Sequence, residues 1–352
     1  MITEPLLTIA VPTYRRVDLL RRCLQSVVPT VASTVGDIEL VVSDNSPEDD
    51  VEHLIDQFRH DYPAPLHYYR NPESTGAVNN FNLCIERAQG RYLLILHDDD
   101  YLLPGAIDGM MEILRDADAK GDQVVLFGVR VEDRSGRVRR TQDVKVNQTL
   151  EPRAAVKRML RDASFVRVPG LVVTPAAYKA VGSFRVEAYT TCDTDMAAKL
   201  FGRFGVRLAP LLSSAYMVHE GSVTTTVFTP RTVALIFQVF YYLRSLALLD
   251  GRTMDRLECN WMHQFILGGT WRALESRDLR GARQVYRLFD LPRVRALGIS
   301  QRWLPVRAAF ALATGAVWRR RDRTAVVGSA ADASASDVAG TEHPDIESAG
   351  EW

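Results

Sequence analysis

The sequence lacks several features that mark well-defined classes of protein. Its 352 residues include only four cysteines, far apart and without any CxxC or HxxH spacing nearby, which argues against a structural zinc site. Basic and acidic residues balance at 43 each, without the basic excess typical of nucleic-acid binders. We therefore expect no nucleic-acid partner.

Long apolar runs and a leader-like start are lacking as well. No stretch approaches the ~20 apolar residues that a membrane-spanning helix needs, and Met1 is followed by Thr3 and Glu4 rather than by a basic segment and an apolar run. Cys23 and Cys84 fall on apolar helical stripes and are interpreted as small buried residues. Together these features predict a cytoplasmic protein in a reducing compartment.

The first 130 residues alternate short apolar runs with amphipathic helical stretches. The predicted strands cover residues 6–11, 38–42, 66–69, 92–96 and 124–129. Repeated βα units of this kind predict an α/β fold with a mostly parallel central sheet and helices on both faces.

Polar segments follow the first four of these strands, where ligands bind in parallel sheets. They are Thr13–Tyr14, Ser43–Ser46, Arg70–Gly76 and His97–Asp100. The first strand is not followed by GxGxxG, which argues against a dinucleotide-binding dehydrogenase. It is not followed by a glycine-rich loop of the kind that sugar-1-phosphate nucleotidyltransferases use, either.

Three consecutive carboxylates, Asp98, Asp99 and Asp100, come directly after a buried strand. Charges this close oppose one another's ionisation. A divalent cation, Mg²⁺ or Mn²⁺, removes that cost and often shares its site with substrate phosphates. The alternative is an acidic, solvated turn, but the position at the end of a buried strand favours the metal site.

Several motifs occur together in a characteristic order. They are residues 9–16 (IAVPTYRR), 41–46 (VVSDNS), 71–76 (NPESTG), 79–82 (NNFN), 88–92 (AQGRY) and 97–105 (HDDDYLLPG). This set resembles the family-2 glycosyltransferases, nearest to the branch with abequosyl- and other deoxyhexosyl-type transferases of surface polysaccharides. The resemblance covers about residues 5–225. It implies a GT-A fold, an α/β nucleotide-binding sandwich.

The resemblance assigns roles around a nucleotide-sugar donor. Pro12, Thr13 and Tyr14 correspond to residues that lie against the base and ribose. Asp44 corresponds to the acidic residue that reads the base, although aspartates at such positions also cap turns. Asn82 closes the family's Gly-to-Asn segment, and the alternative is that it braces its helix.

The same resemblance assigns the acidic turn to the donor and its metal. Asp98 and Asp99 match the donor- and metal-binding acids, and Asp99, Asp100 and His219 are the predicted metal ligands. His219 could equally be an ordinary polar residue after a strand. His97 stands where many members have the first Asp of a D-x-D-D pattern, which leaves open which of the three aspartates bind the ion directly.

A second acidic block, Thr191–Leu200, resembles the family's E-D-x-D block before a helix. The resemblance assigns the catalytic base to Asp193, while Cys192 replaces the usual Glu. The alternative for Asp193 is a helix cap, a common role for Asp. Asp195 is the reserve candidate for the base.

The basic segment 302–323 combines an apolar helix with a flanking Trp and an arginine cluster. Residues 271–323 hold 13 basic against 4 acidic residues. Two interpretations stay open: a helix in peripheral contact with a membrane surface, or a surface helix that covers the core.

The predicted domain organisation follows the resemblance. Residues 1–228 form the transferase domain, with a nucleotide-sugar half (1–130) and an acceptor and catalytic-base half (131–228). Residues 229–323 form a helical region, and residues 324–352, which contain no Lys or Arg, are expected to be disordered.

The predicted function is an inverting, metal-assisted transfer of a hexose or deoxyhexose from a nucleotide-sugar donor. The acceptor is a saccharide or lipid-linked saccharide, in cell-surface polysaccharide synthesis at the inner face of the plasma membrane. The alternatives are a non-catalytic nucleotide-sugar-binding scaffold and a transferase acting on a small natural product.

Overall fold

The structure, a computed structural model, describes residues 4–28, 35–72, 75–218 and 227–315. The strands are β1 Leu7–Thr13, β2 Ile38–Asp44, β3 Leu66–Arg70, β4 Tyr92–Ile95, β5 Tyr101–Leu102, β6 Val124–Asp133, β7 Val138–Gln142, β8 Gln148–Leu150, β9 Leu171–Val173 and β10 Val206–Val218. The helices are α1 Val17–Ser26, α2 Asp50–Asp61, α3 Ala77–Arg87, α4 Ala106–Lys120, α5 Pro152–Arg161, α6 Pro175–Val181, α7 Cys192–Phe204, α8 Pro230–Ser245, α9 Gly251–Glu275, α10 Leu279–Tyr286, α11 Pro292–Ala296 and α12 Leu304–Thr314.

The strands form one sheet in the order β3-β2-β1-β4-β9-β6-β10-β5, with β7 beside β6 and β8 beside β10. The half made of β3, β2, β1 and β4 is parallel throughout. Beyond it the sheet is mixed, because the three-residue strand β9 runs antiparallel to both β4 and β6. The predicted α/β class is confirmed, and the parallel half carries the predicted site.

Apolar side chains pack on both faces of this sheet. Leu20 of α1, Leu54 of α2 and Met110 of α4 belong to the core on one face. On the other face, Phe201 of α7 and Trp261 of α9 belong to a second core, which also includes β-strand residues. The C-terminal helices α8 and α9 therefore share a core with the sheet, which holds them beside the carboxyl ends of β1 and β4.

The cysteine and membrane expectations can be compared directly with the fold. Cys23 and Cys84 are fully buried, as predicted, and all four cysteines are free thiols. Within the described ranges, no helix has the length and apolar character that crossing a membrane requires.

Candidate active site

The carboxyl ends of β1 and β4 place two predicted site segments side by side. These strands are parallel neighbours, with Ala10 opposite Ile95, so the residues that follow them emerge at one edge of the sheet. The hydroxyl of Thr13 donates a hydrogen bond of 2.8 Å to Oδ2 of Asp98. Strand pairing thus brings the first motif to the acidic turn.

Two arginines of the first βα unit hold the acidic turn. Nη1 of Arg16 lies 3.2 Å from Oδ1 of Asp98 and 3.3 Å from Oδ2 of Asp99. Nη2 of Arg22 donates a 2.8 Å hydrogen bond to the backbone carbonyl of Asp99. The positive charges offset part of the repulsion among the carboxylates and fix the path of the turn.

Asp100 is the most deeply buried member of the turn, with no exposed surface. Its Oδ1 accepts a 2.8 Å hydrogen bond from the backbone N–H of Met217, but its Oδ2 has no hydrogen-bond partner in the part of the chain that the structure describes. Burial, together with the Asp99 charge, raises the pKa of Asp100 well above its ordinary value. A buried carboxylate oxygen without a donor fits a site for a cation.

The Asp98 carboxyl yields a pH prediction. Burial, and then the Asp99 charge, raise its pKa from 3.8 to about 6, so the folded chain binds this proton more tightly than the unfolded chain does. The resulting stabilisation is fully present below about pH 4 and is lost as the pH rises through 6. In the presence of a chelator, we expect a loss on the order of 3 kcal/mol from this group.

Urea unfolding at pH 4 to 7.5 measures this effect. The matched variant Asp98→Asn keeps an acceptor for Thr13 but does not titrate, so its stability should vary less over this range. If the free energy of unfolding changes with pH equally in the variant and the wild type, the pKa of Asp98 is not raised by folding.

The acidic turn opens into a cavity of about 400 Å³. Pro12, Thr13 and Tyr14 line it from β1, and Asp98 and Asp99 line it from the acidic turn. Asp193 lines the same cavity, from the first turn of α7. The cavity therefore brings the carboxylates of the acidic turn together with one carboxylate that is distant in the sequence.

Asp193 and Asp195 differ sharply in their surroundings. Asp193 is exposed, and its Oδ1 accepts a 2.6 Å hydrogen bond from the N–H of the next residue. Asp195 is buried, and its carboxylate pairs with Arg185 at 2.7 Å and Lys199 at 2.9 Å. Asp193 is available to a substrate, whereas Asp195 is engaged in ion pairs that hold the helix.

A family model decides the classification of this site. The model described as "Glycosyl transferase family 2" matches residues 8–172, which include β1, the acidic turn and β6. Residues 8–172 carry a family-2 glycosyltransferase domain. The resemblance proposed from the motifs is confirmed.

Two named relatives of this glycosyltransferase domain match it over short stretches. The abequosyltransferase RfbV of Salmonella typhimurium is 35% identical over 97 residues, which are 28% of this chain and 29% of that protein. The GalNAc(5)-diNAcBac-PP-undecaprenol beta-1,3-glucosyltransferase of Campylobacter jejuni is 29% identical over 108 residues, 31% of this chain and 34% of that protein. The match thus spans about a third of the length of each relative.

Solved structures with a similar fold cover most of the chain. S. aureus TarS residues 1–349 in complex with UDP-GlcNAc has a TM-score of 0.57 and 15% identity, covering 88% of each chain. The mannosyltransferase PcManGT from Pyrobaculum calidifontis, in complex with GDP-Man and Mn²⁺, has a TM-score of 0.51 and 15% identity, covering 89% of this chain and 86% of that one. At this identity the likeness shows the fold alone, and the expected GT-A fold is confirmed.

Two predicted donor-binding residues of the glycosyltransferase domain lie outside the cavity wall. Asp44 is fully buried; its oxygens accept hydrogen bonds from the N–H of Ser46 at 2.8 Å and from the hydroxyl of Tyr68 at 2.9 Å. Asn82 exchanges two hydrogen bonds with the backbone of Phe184. These contacts match the alternative roles of the two residues, a turn cap for Asp44 and a helix brace for Asn82. Contact of either residue with the nucleotide stays a prediction.

The remaining assignments divide between described and undescribed residues. His219, a predicted metal ligand, lies outside the described residues. Cys192 is buried and lines the cavity, and burial raises the pKa of its thiol. It is therefore a neutral wall residue, which leaves Asp193 as the carboxylate that α7 presents to the cavity.

Helix α9 also contributes to the cavity wall. Trp261, Gln264 and Phe265 line the cavity there, and the ring of Phe265 lies 4.9 Å from that of Phe228. Aromatic rings beside polar groups are typical of ligand-binding cavities. The helical region thus completes the site.

Sequence reasoning missed two residues that shape the site. Arg16, which pairs with Asp98 and Asp99, was signalled by the basic pair after β1, but the sequence does not show what that pair contacts. Phe81 stacks on the ring of His97, with centroids 5.2 Å apart and an angle of 15°, and its sequence signal was only an apolar helical stripe.

Proposed function

We propose that this chain is an inverting glycosyltransferase that moves a hexose or deoxyhexose from a nucleoside-diphosphate sugar to a hydroxyl of a saccharide acceptor. The observation that carries this proposal is the shared cavity: Asp98 and Asp99 of the acidic turn and Asp193 of α7 line the same space. One carboxylate set faces the donor diphosphate, and the other faces the acceptor hydroxyl. Such a division of roles suits a displacement between two substrates.

The donor side uses residues of β1 and the acidic turn. Thr13 and Tyr14 lie against the nucleoside, and Arg16, already beside Asp98, contributes positive charge close to the diphosphate. Asp99 and Asp100 would hold the divalent cation, with Asp98 beside them and His219 as a further predicted ligand. A Mg²⁺ or Mn²⁺ ion bound there would supply positive charge that offsets the charge developing on the departing diphosphate.

The acceptor side uses Asp193 as general base. Its carboxylate takes the proton from the acceptor hydroxyl while the oxygen attacks the anomeric carbon. The bond from that carbon to the diphosphate oxygen breaks, and the nucleoside diphosphate leaves with the electron pair. A single displacement inverts the anomeric configuration, through a transition state with oxocarbenium character, by analogy with glycoside hydrolysis.

The comparisons support a nucleotide-sugar donor and a lipid-linked saccharide acceptor. The structurally similar TarS and PcManGT structures contain UDP-GlcNAc and GDP-Man, the latter with Mn²⁺. The name of the Campylobacter relative specifies a diphospho-undecaprenol saccharide acceptor. A lipid-linked acceptor would place this chain at the inner face of the plasma membrane, with residues 302–323 as the contact segment.

A heat-stability panel tests the donor proposal. Purified protein is heated with each of several nucleoside diphosphates and nucleotide sugars, with and without Mn²⁺. A nucleotide at 100 times its Kd should stabilise the fold by about 2.7 kcal/mol. The nucleotide sugar of the stabilising nucleotide is then incubated with the protein, and release of the nucleoside diphosphate measures turnover. No response to any nucleotide would overturn the proposal, and binding without turnover would favour the non-catalytic scaffold.

Phe265→Ala is expected to weaken acceptor binding selectively. The ring lines the α9 side of the cavity and is only partly buried, so its loss removes acceptor contact without opening the core. We expect the acceptor KM to rise roughly tenfold with little change in kcat or in donor affinity. Equal losses in donor and acceptor binding would show that α9 does not form an acceptor wall.

A further inference from the structure

A histidine nitrogen lies among the carboxylates of the acidic turn. Nδ1 of His97 is 3.8 Å from Oδ2 of Asp100. Taking one ligand atom from each of His97, Asp99 and Asp100, all three lie within 4.8 Å of one another. Octahedral ions with bonds near 2.1 Å separate their ligand atoms by roughly 3 to 4.2 Å, so this group could enclose an ion after shifts of less than about 1 Å.

Two polar atoms in this cluster lack a hydrogen-bond partner within the described ranges. Oδ2 of Asp100 and Nε2 of His97 are buried and have no hydrogen-bond partner among the residues that the structure describes. Asp100 as a whole has no exposed surface. Native proteins rarely leave such atoms unsatisfied, and the unsatisfied oxygen of Asp100 lies 3.8 Å from the other ring nitrogen of His97, Nδ1.

The imidazole is held in place by its neighbours. The ring of His97 stacks on Phe81, and Phe81 in turn packs edge-on against Phe184, with ring centroids 5.6 Å apart. The thiol of Cys23 donates to the backbone carbonyl of His97 at 3.7 Å. These contacts restrict both the ring and the backbone, as is expected for a preorganised ligand.

We propose that His97 is a nitrogen ligand of the divalent-cation site, with Asp99 and Asp100, and that it makes the site select Mn²⁺ over Mg²⁺. The inference rests on the proposed function, because the ion is the one expected to accompany the donor diphosphate. Mg²⁺ prefers all-oxygen ligands, whereas imidazole favours transition metals. The imidazole of His97 is therefore the group that sets the metal preference of this site.

Electron spin-echo spectroscopy of bound Mn²⁺ tests the ligand directly. The wild-type protein with Mn²⁺ should show ¹⁴N modulation, and protein labelled with ¹⁵N-histidine should replace it with a ¹⁵N signal. Because His219 is a further predicted ligand, His97→Asp is made in the His219→Ala background, where it should abolish the remaining nitrogen signal. The ratio of Mn²⁺ to Mg²⁺ affinity should fall by at least about tenfold relative to His219→Ala alone. Absence of Mn²⁺ binding or of histidine nitrogen coupling in the wild type would overturn the inference.

Two control variants make the assignment specific. His60→Asp changes an exposed histidine of α2 and should keep both the nitrogen signal and the metal preference. His219→Ala should keep the nitrogen signal; its loss there would overturn the inference. If His97→Asp does not fold, the nitrogen signals of the labelled wild-type protein and of His219→Ala still show whether a histidine other than His219 binds the ion.

The outcome is separable from that of the proposed function. Histidine-bound Mn²⁺ in a protein that no nucleotide stabilises would support the ligand inference and contradict the transferase proposal. Mn²⁺-dependent nucleotide binding without a histidine nitrogen signal from the bound Mn²⁺ would support the transferase proposal and contradict the ligand inference.

Discussion

Asp193→Asn is expected to lower the kcat of sugar transfer by about 10²- to 10⁴-fold while leaving nucleotide-sugar binding intact. Asparagine keeps the size of the side chain and an oxygen that can accept from the N–H of Thr194, but it cannot take a proton from the acceptor. Because Asp193 lies in the first turn of α7 and is exposed to the cavity, the change should not disturb the core. Steady-state kinetics with the donor identified by the stability panel measures the effect.

Two comparison variants separate catalysis from folding. Glu187→Gln removes an exposed carboxylate in the turn before α7, outside the cavity wall, and should leave kcat unchanged. Asp195→Asn removes the partner of Arg185 and Lys199 and should lower thermal stability. A full rate in Asp193→Asn, with a rate loss in Asp195→Asn that exceeds its loss of folded protein, would transfer the base role to Asp195.

Asp99→Asn is expected to abolish metal-dependent nucleotide binding without lowering the stability of the metal-free protein. The wild type should gain about 2.7 kcal/mol at 100 times the nucleotide Kd in the presence of Mn²⁺, and the variant should gain none. The Asp99 charge raises the pKa of Asp98 and of Asp100, in each case after burial. Removing that charge relieves repulsion, so the metal-free fold should be as stable or more stable.

The opposed directions of the two effects make this prediction specific. A variant that merely damaged the fold would lose both the nucleotide response and the basal melting temperature. Asp56→Asn, which changes an exposed carboxylate of α2, is the matched control and should respond to nucleotide as the wild type does. A normal Mn²⁺-dependent response in Asp99→Asn would remove Asp99 from the metal site.

The parallel half of the sheet and strand β6 were predictable, whereas the rest of the far half was less so. Strands β1, β2 and β4 are buried along their length, so they read as unbroken apolar runs. Strand β10 was expected before His219, but its bounds were not predicted, because Pro210 interrupts its apolar pattern and its register against β6 shifts on both sides of Leu212. Strand β9 has only three residues, too few for a periodic signal.

The candidate site was predictable where the chemistry is local. The acidic turn after β4 is visible as three adjacent carboxylates at the end of an apolar run. Its meeting with Asp193 in one cavity was implied only by the family resemblance, because the two segments are brought together by packing. The contacts of Asp44 with Tyr68 and of Asn82 with Phe184 are tertiary contacts as well, and no sequence pattern indicates them.

The measurement that tests the central claim most directly is a crystal structure of the protein with Mn²⁺ and the nucleotide sugar that stabilises it. We expect the diphosphate over Asp98 and Asp99, the nucleoside against Thr13 and Tyr14, and the sugar in the cavity between this turn and Asp193. A nucleotide sugar bound away from the acidic turn, or a sugar pointing away from Asp193, would contradict it.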